Sequence, residues 1–168
     1  MSASFEMDGP IRVALGTIGI PGQRTFYLQI EQDARTVSMK LEKQQVGAFG
    51  QLLAEMLADL PTPEDVPAGS DVELVEPLDA DWVVGGIQLS YDTDADRIVL
   101  LFEEAVAEPG EDSAIGRLSI SRGQAVALIG RTVALLEGGR PPCALCGNPM
   151  DPSGHACPRT NGHRPRTP

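Results

Sequence analysis

Between Met1 and Pro142 the chain contains neither cysteine nor histidine. That double absence removes Ser-His-Asp and Cys-His nucleophile schemes from most of the molecule, because neither an imidazole base nor a thiolate is there to run them. Aromatic side chains are sparse, with four Phe, two Tyr and one Trp in 168 residues. Cations are sparse too. Residues 1–139 carry nine Lys and Arg against 23 Asp and Glu, a net of −14, and a body this acidic repels a phosphate backbone at neutral pH. Unbroken apolar stretches reach only five residues, as in Ile98–Phe102, far short of the ~20 that a spanning helix needs. Met1 opens no basic segment followed by an apolar core and a small-residue cleavage site. The expectation is a cytoplasmic protein, neither secreted nor membrane-bound.

What is present is concentrated. Cys143, Cys146, His155, Cys157 and His163 are all the Cys and His the chain has, and they fall within its last 26 residues. An odd cysteine count with CxxC spacing and no export signal points to metal ligation in a reducing compartment rather than to disulfides. Cys143-Ala-Leu-Cys146-Gly147 has the form of a metal knuckle: two thiolates on one tight turn, followed by a residue free of Cβ strain. The whole pattern, Cys-x2-Cys-x8-His-x-Cys-x5-His, offers five donors for the four places of a tetrahedral ion. His155 and Cys157 point to the same side of an extended segment, which favours His155 as the fourth ligand; His163 is the rival. Cysteine-rich sites of this kind are mostly closed and structural, so one structural zinc is expected, with iron as the other thiolate-tolerant ion. Residues 140–168 also hold seven of the fourteen prolines, and Leu145 and Met150 are their only sizeable apolar side chains. Apolar burial cannot fold such a segment, whereas structural zinc contributes ~10–16 kcal/mol to small modules.

Residues 1–139 read as an α+β domain with an antiparallel sheet and helices on one face, followed by the Cys/His tail 140–168. Ile11, Val13 and Leu15 alternate with Arg12, Ala14 and Gly16; Phe26, Leu28 and Ile30 alternate with Tyr27, Gln29 and Glu31; Val37, Met39 and Leu41 continue the pattern after Asp33-Ala34. This predicts strands with one buried and one wet face. From Gln45 to Leu60 the apolar spacing changes to three and four, a helix ended by Pro61. Residues 61–81, with four prolines and seven acidic residues, predict an exposed, mobile connection. Strands near Trp82–Tyr91, Arg97–Val106 and Arg117–Ser121 then lead to a helix over Arg122–Glu137. Leu41-Glu42-Lys43-Gln44-Gln45 and Ile120-Ser121-Arg122-Gly123-Gln124 share one pattern at the strand-to-helix junction, so the body reads as two β-β-β-α units.

Three further motifs carry less. Gly16, Gly19 and Gly22 recur in a loop closed by Arg24; glycine amides can cradle an anion, but no helix follows, and a hairpin connection is expected. Asp92-x-Asp94-x-Asp96 with Glu103 copies a calcium loop's carboxylate spacing, yet Arg97 stands where that loop needs glycine, so a polar hairpin turn is expected. Glu103 and Glu104 are adjacent on a strand, point to opposite faces and cannot work as a dyad.

Gly147-Asn-Pro149-Met-Asp151-Pro152-x-Gly154-His155-x-Cys157-Pro158-Arg159-x-Asn161-Gly162, with Gly16-Thr-Ile-Gly19-x-Pro21-Gly22-x-Arg24-x-Phe26, resembles an uncharacterised actinobacterial family, domain of unknown function 3090. The likeness spans nearly the whole chain and implies a zinc-ribbon-like C-terminus. It carries over no catalytic residue. Family members tend to sit beside a histidine-phosphatase-type protein and a mycothiol-pathway ligase, which implies a pathway without naming a role. The expected function is that of a noncatalytic zinc protein presenting its tail to a protein partner. The alternatives are an enzyme or enzyme subunit acting on a small metabolite, and nucleic-acid contact through Arg140, Arg159, Arg164 and Arg166, which lack interleaved aromatics.

Overall fold

The computed structural model describes residues 2–68, 73–76, 78–108, 110–151 and 153–160. Strands β1 (Phe5–Asp8), β2 (Arg12–Ile18), β3 (Thr25–Gln32) and β4 (Arg35–Leu41) precede helix α1 (Lys43–Leu57); strands β5 (Trp82–Asp92), β6 (Arg97–Glu104) and β7 (Ile115–Ile120) precede helix α2 (Arg122–Glu137). Two β-β-β-α units are therefore present, with β1 added in front. All seven strands form one sheet in the order β1-β7-β6-β5-β4-β3-β2.

Each unit is an antiparallel meander, but the sheet as a whole is mixed, not antiparallel throughout. β4 lies parallel to β5 through Met39↔Trp82 and Lys40↔Val83, and β1 lies parallel to β7 from Phe5↔Gly116 to Asp8↔Ser119. The β4–β5 pairing has a topological basis: the chain leaves β4, crosses through α1 and re-enters the sheet beside β4, the long crossover that a parallel pair needs.

Both helices begin with the same device. In α1 the Gln45 side chain accepts from the N-cap amide of Glu42 at 2.8 Å, and in α2 the Gln124 side chain accepts from that of Ser121 at 3.0 Å. In α2 the Ser121 hydroxyl answers by accepting from the Gln124 amide at 3.1 Å, completing a capping box, and α1 has the same arrangement with Glu42 in a looser form. The shared junction pattern is thus a pair of caps, and each Gln reaches further. Gln45 Nε2 donates to Val84 O at 2.9 Å and Gln124 Nε2 to Pro10 O at 2.8 Å, tying each helix start to a neighbouring segment. Helix α1 stops at Leu57 rather than Leu60, because the Ala58 amide turns back to Glu55 O and the last turn tightens ahead of Pro61.

Val46, Phe49 and Leu53 of α1 and Ala125, Leu128 and Leu135 of α2 are buried with Leu15, Leu28, Ile30, Met39, Leu100 and Phe102 of the sheet. Each fully buried side chain of this size contributes about 1.5–3 kcal/mol. Gly50 faces Thr132 so closely that a Cβ would sit 2.6 Å from Thr132 Cγ2, so glycine sets the approach of the two helices.

The expected wet face of β2–β4 is not wet, and the connection 61–81 is not a free excursion. Tyr27, Gln29 and Ser38 are all buried. Segment 73–76 lies on that face: Leu74 occupies the space above Gly16, Val75 N–H donates to Gln29 Oε1 at 2.9 Å, and Gln29 Nε2 donates to Val75 O at 2.8 Å. Asp81 Oδ2 accepts from the Ser38 amide at 2.8 Å. Arg12, held by Glu31 at 3.1 Å and by Gln29 Oε1 at 2.9 Å, also donates to Glu73 O. A polar strand face here is a paired face.

Candidate metal centre

The tail is built from backbone turns rather than from a core. Cys143 N–H donates to Asn148 O at 2.8 Å, Gly147 N–H to Cys143 O at 2.8 Å, and Met150 N–H to Pro141 O at 2.9 Å, folding residues 141–150 into a small hairpin. Gly147 takes φ +75°, the left-handed turn that the knuckle requires of it. Gly154, at φ +83°, swings the chain back so that His155 and Cys157 return to the knuckle.

The side-chain donors of Cys143, Cys146, His155 and Cys157 all lie within 4.8 Å of one another. With metal–sulfur bonds of about 2.3 Å and metal–nitrogen bonds of about 2.0–2.1 Å, a tetrahedral ion holds two sulfurs about 3.8 Å apart and a sulfur and nitrogen about 3.6 Å apart. Cys143 Sγ and Cys157 Sγ are 4.0 Å apart, and Cys146 Sγ and His155 Nε2 are 3.6 Å apart. These two separations match a Cys3His shell, and all four donors lie close enough together to hold one ion. No disulfide joins the three cysteines. Cys143 and Cys157 are buried, and Cys146 and His155 are half-buried. His163 lies outside the described residues, as do Arg164 and Arg166.

The thiols are prepared unequally. The amides of Cys146 and then Leu145 point at the Cys143 sulfur, the His155 ring adds a hydrogen bond, and together they pull its pKa down to about 6. Burial pushes the Cys146 thiol up, and the neighbouring thiols of Cys157 and Cys143 push the same way. A cation at the centre of the four would relieve that second strain directly, by pairing with a sulfur that burial otherwise keeps protonated.

The tail rests against the body. Arg140 donates to Asp151 at 3.1 Å, and Gly22 of the β2–β3 loop comes so near that a Cβ there would meet Arg140 Cδ at 3.3 Å and Asp151 Oδ1 at 3.5 Å. Arg24, from the same loop, donates to Leu135 O at 3.3 Å and Gly138 O at 2.5 Å, capping the C-terminal end of α2. The segment is a hairpin connection between β2 and β3, as its sequence implies. The Asp92–Asp96 segment is likewise a turn. Asp92 Oδ1 accepts from the amides of Asp94 and Ala95, while Asp96 is held by Arg122 at 2.8 and 3.0 Å and by Tyr91, which leaves no calcium cradle. Nothing in the sequence marks the Arg140–Asp151 latch beyond the charges of the two residues.

A family model described as protein of unknown function, DUF3090, matches residues 5–157, a span that includes all four clustered donors. No curated protein and no solved structure matches the chain.

Proposed function

The chain belongs to the DUF3090 family of proteins of unknown function, and within it we propose a noncatalytic zinc-binding protein whose tail is held in shape by one ion and offered to a protein partner in the cytoplasm. The observation that carries this reading is the convergence of Cys143, Cys146, His155 and Cys157 within 4.8 Å. Four protein donors fill a tetrahedral shell, so the ion has no open place for water or substrate and acts as the tail's core. Zinc suits a borderline Cys3His set better than a hard, oxygen-seeking cation does.

Two features support a recognition role. Leu145, at the tip of the knuckle, is 54% exposed, an apolar side chain open to a partner. The tail carries four cations against one carboxylate while the body carries a net −14, so the tail is the face that an acidic protein surface would meet. Among the tail's described arginines, Arg140 is already paired with Asp151, which weighs against nucleic-acid contact.

Affinity purification of the intact protein beside Cys143→Ser, Cys146→Ser tests the reading. The expected result is that the double variant loses the partner proteins that the native chain retains; equal recovery by both would show that the tail is not the recognition element.

A further inference from the structure

A cleft of about 310 Å³ opens where the body meets the tail, between the β2–β3 loop, the first turn of α1, the last turn of α2 and Pro149. Arg24, Lys43 and Arg140 line it, and an adjoining hollow of about 230 Å³ shares Arg24 and Lys43 and adds Lys40. Both lysines of the chain and two of its arginines thus gather in one place, on a molecule whose net charge is −11.

Two of the cations converge. Arg24 Nη2 and Lys43 Nζ lie 3.8 and 3.9 Å from the position where a Gly139 side chain would begin, a position that the Leu136 carbonyl oxygen approaches to 3.2 Å. Arg24 is fixed there by two backbone carbonyls at the end of α2, which compensate its charge only in part and bring no carboxylate to it. Lys43 forms no ion pair with any described residue, and the carboxylates in the two linings, Glu137 and Glu42, pair directly with none of these cations. Like charges brought together repel each other, and an anion between them would reduce that penalty. The nearby Arg140 is positioned by Asp151 and is half-neutralised.

We propose that this cleft binds a small anionic metabolite through a phosphate or carboxylate group, with Lys43 and Arg24 supplying the charge and Arg140 closing the tail side. The acidic body around it excludes an extended polyanion, and the cleft's volume suits a small molecule. Gly22 leaves room beside Arg140, since a side chain there would press on Arg140 Cδ at 3.3 Å. This site is separate from the four-donor cluster, and its charge comes chiefly from the body.

Titrating the native protein with inorganic phosphate and, separately, with succinate, against chloride at matched ionic strength, tests the proposal by amide and arginine NMR signals. Saturable shifts at Arg24, Lys43 and Gly139 are expected, and whichever anion saturates them identifies the group recognised. Lys43→Gln should weaken binding about tenfold, the usual effect of deleting one hydrogen bond to a charged group. Arg117→Gln, whose partner is Glu6 on strand β1, should leave it unchanged. Shifts no different from those with chloride, or equal binding by Lys43→Gln and the native protein, would overturn the site. Metal content measured on the same samples keeps the two proposals apart: Lys43→Gln should retain the ion, and a native protein without metal would still report on Arg24 and Lys43.

Discussion

Thr132 is buried at the contact between the helices, and its hydroxyl oxygen finds no hydrogen-bond partner. An unsatisfied buried hydroxyl is destabilising, so Thr132→Val, which keeps the shape and removes the oxygen, should raise stability by about 1 kcal/mol in urea unfolding. Gly50→Ala should lower it by about 1–3 kcal/mol, since the new methyl meets Thr132 and overpacking outweighs alanine's better helix propensity. Asp96 gives a pH-dependent case. Arg122 first, then Tyr91, hold its carboxyl below its ordinary 3.8, so its contribution is complete above that pH and lost as pH falls through the lower folded value. Asp96→Asn keeps the left-handed backbone at φ +53° that asparagine tolerates. It should be less stable than the native protein at neutral pH, with the gap closing in acid, as followed by thermal unfolding across pH. The metal donors were the most legible residues in the sequence because their chemistry is local: CxxCG and His-x-Cys specify turn and ligand together. The pairing of Arg122 with Asp96 was not, since it joins a hairpin turn to a helix start 26 residues away.

At the scale of elements, the two capping boxes should behave as equals. Gln45→Ala and Gln124→Ala each delete a bond to an N-cap amide and a second bond to a strand or loop carbonyl, and each should cost about 1 kcal/mol or somewhat more in chemical unfolding. Gln→Glu at either site keeps the acceptor and loses the donor, so a smaller loss is expected. These junctions, the two meanders and helix α2 could be read from periodicity and caps, which depend on near neighbours. Strand β1 could not: its four residues are too few to display a period, and its partner Ile115–Ile120 is more than a hundred residues away. The buried polar face of β3 escaped for a related reason. Tyr27, Gln29 and Ser38 look like solvent-facing residues until Val75 and Asp81 arrive from the far side of α1 to pair with them.

Across the whole molecule, two kinds of order meet at Gly138-Gly139. The body is held by a continuous apolar core between one sheet and two helices, whereas the described residues of 141–157 contribute only two buried side chains, and both are cysteines. Removing the ion should therefore loosen the tail and spare the body. Hydrogen exchange after chelation should rise at Cys143, Gly147 and Met150, whose amides close the tail's turns, and stay slow in β3, β4 and β6. No helix among the described residues is long and apolar enough to cross a membrane. The most direct measurement is elemental analysis of carefully reduced protein combined with X-ray absorption at the metal edge. One ion per chain bound by three sulfurs and one nitrogen, and lost from Cys146→Ser while the body's unfolding midpoint holds, is the result expected. Metal-free native protein, or a shell built from oxygen ligands, would contradict it.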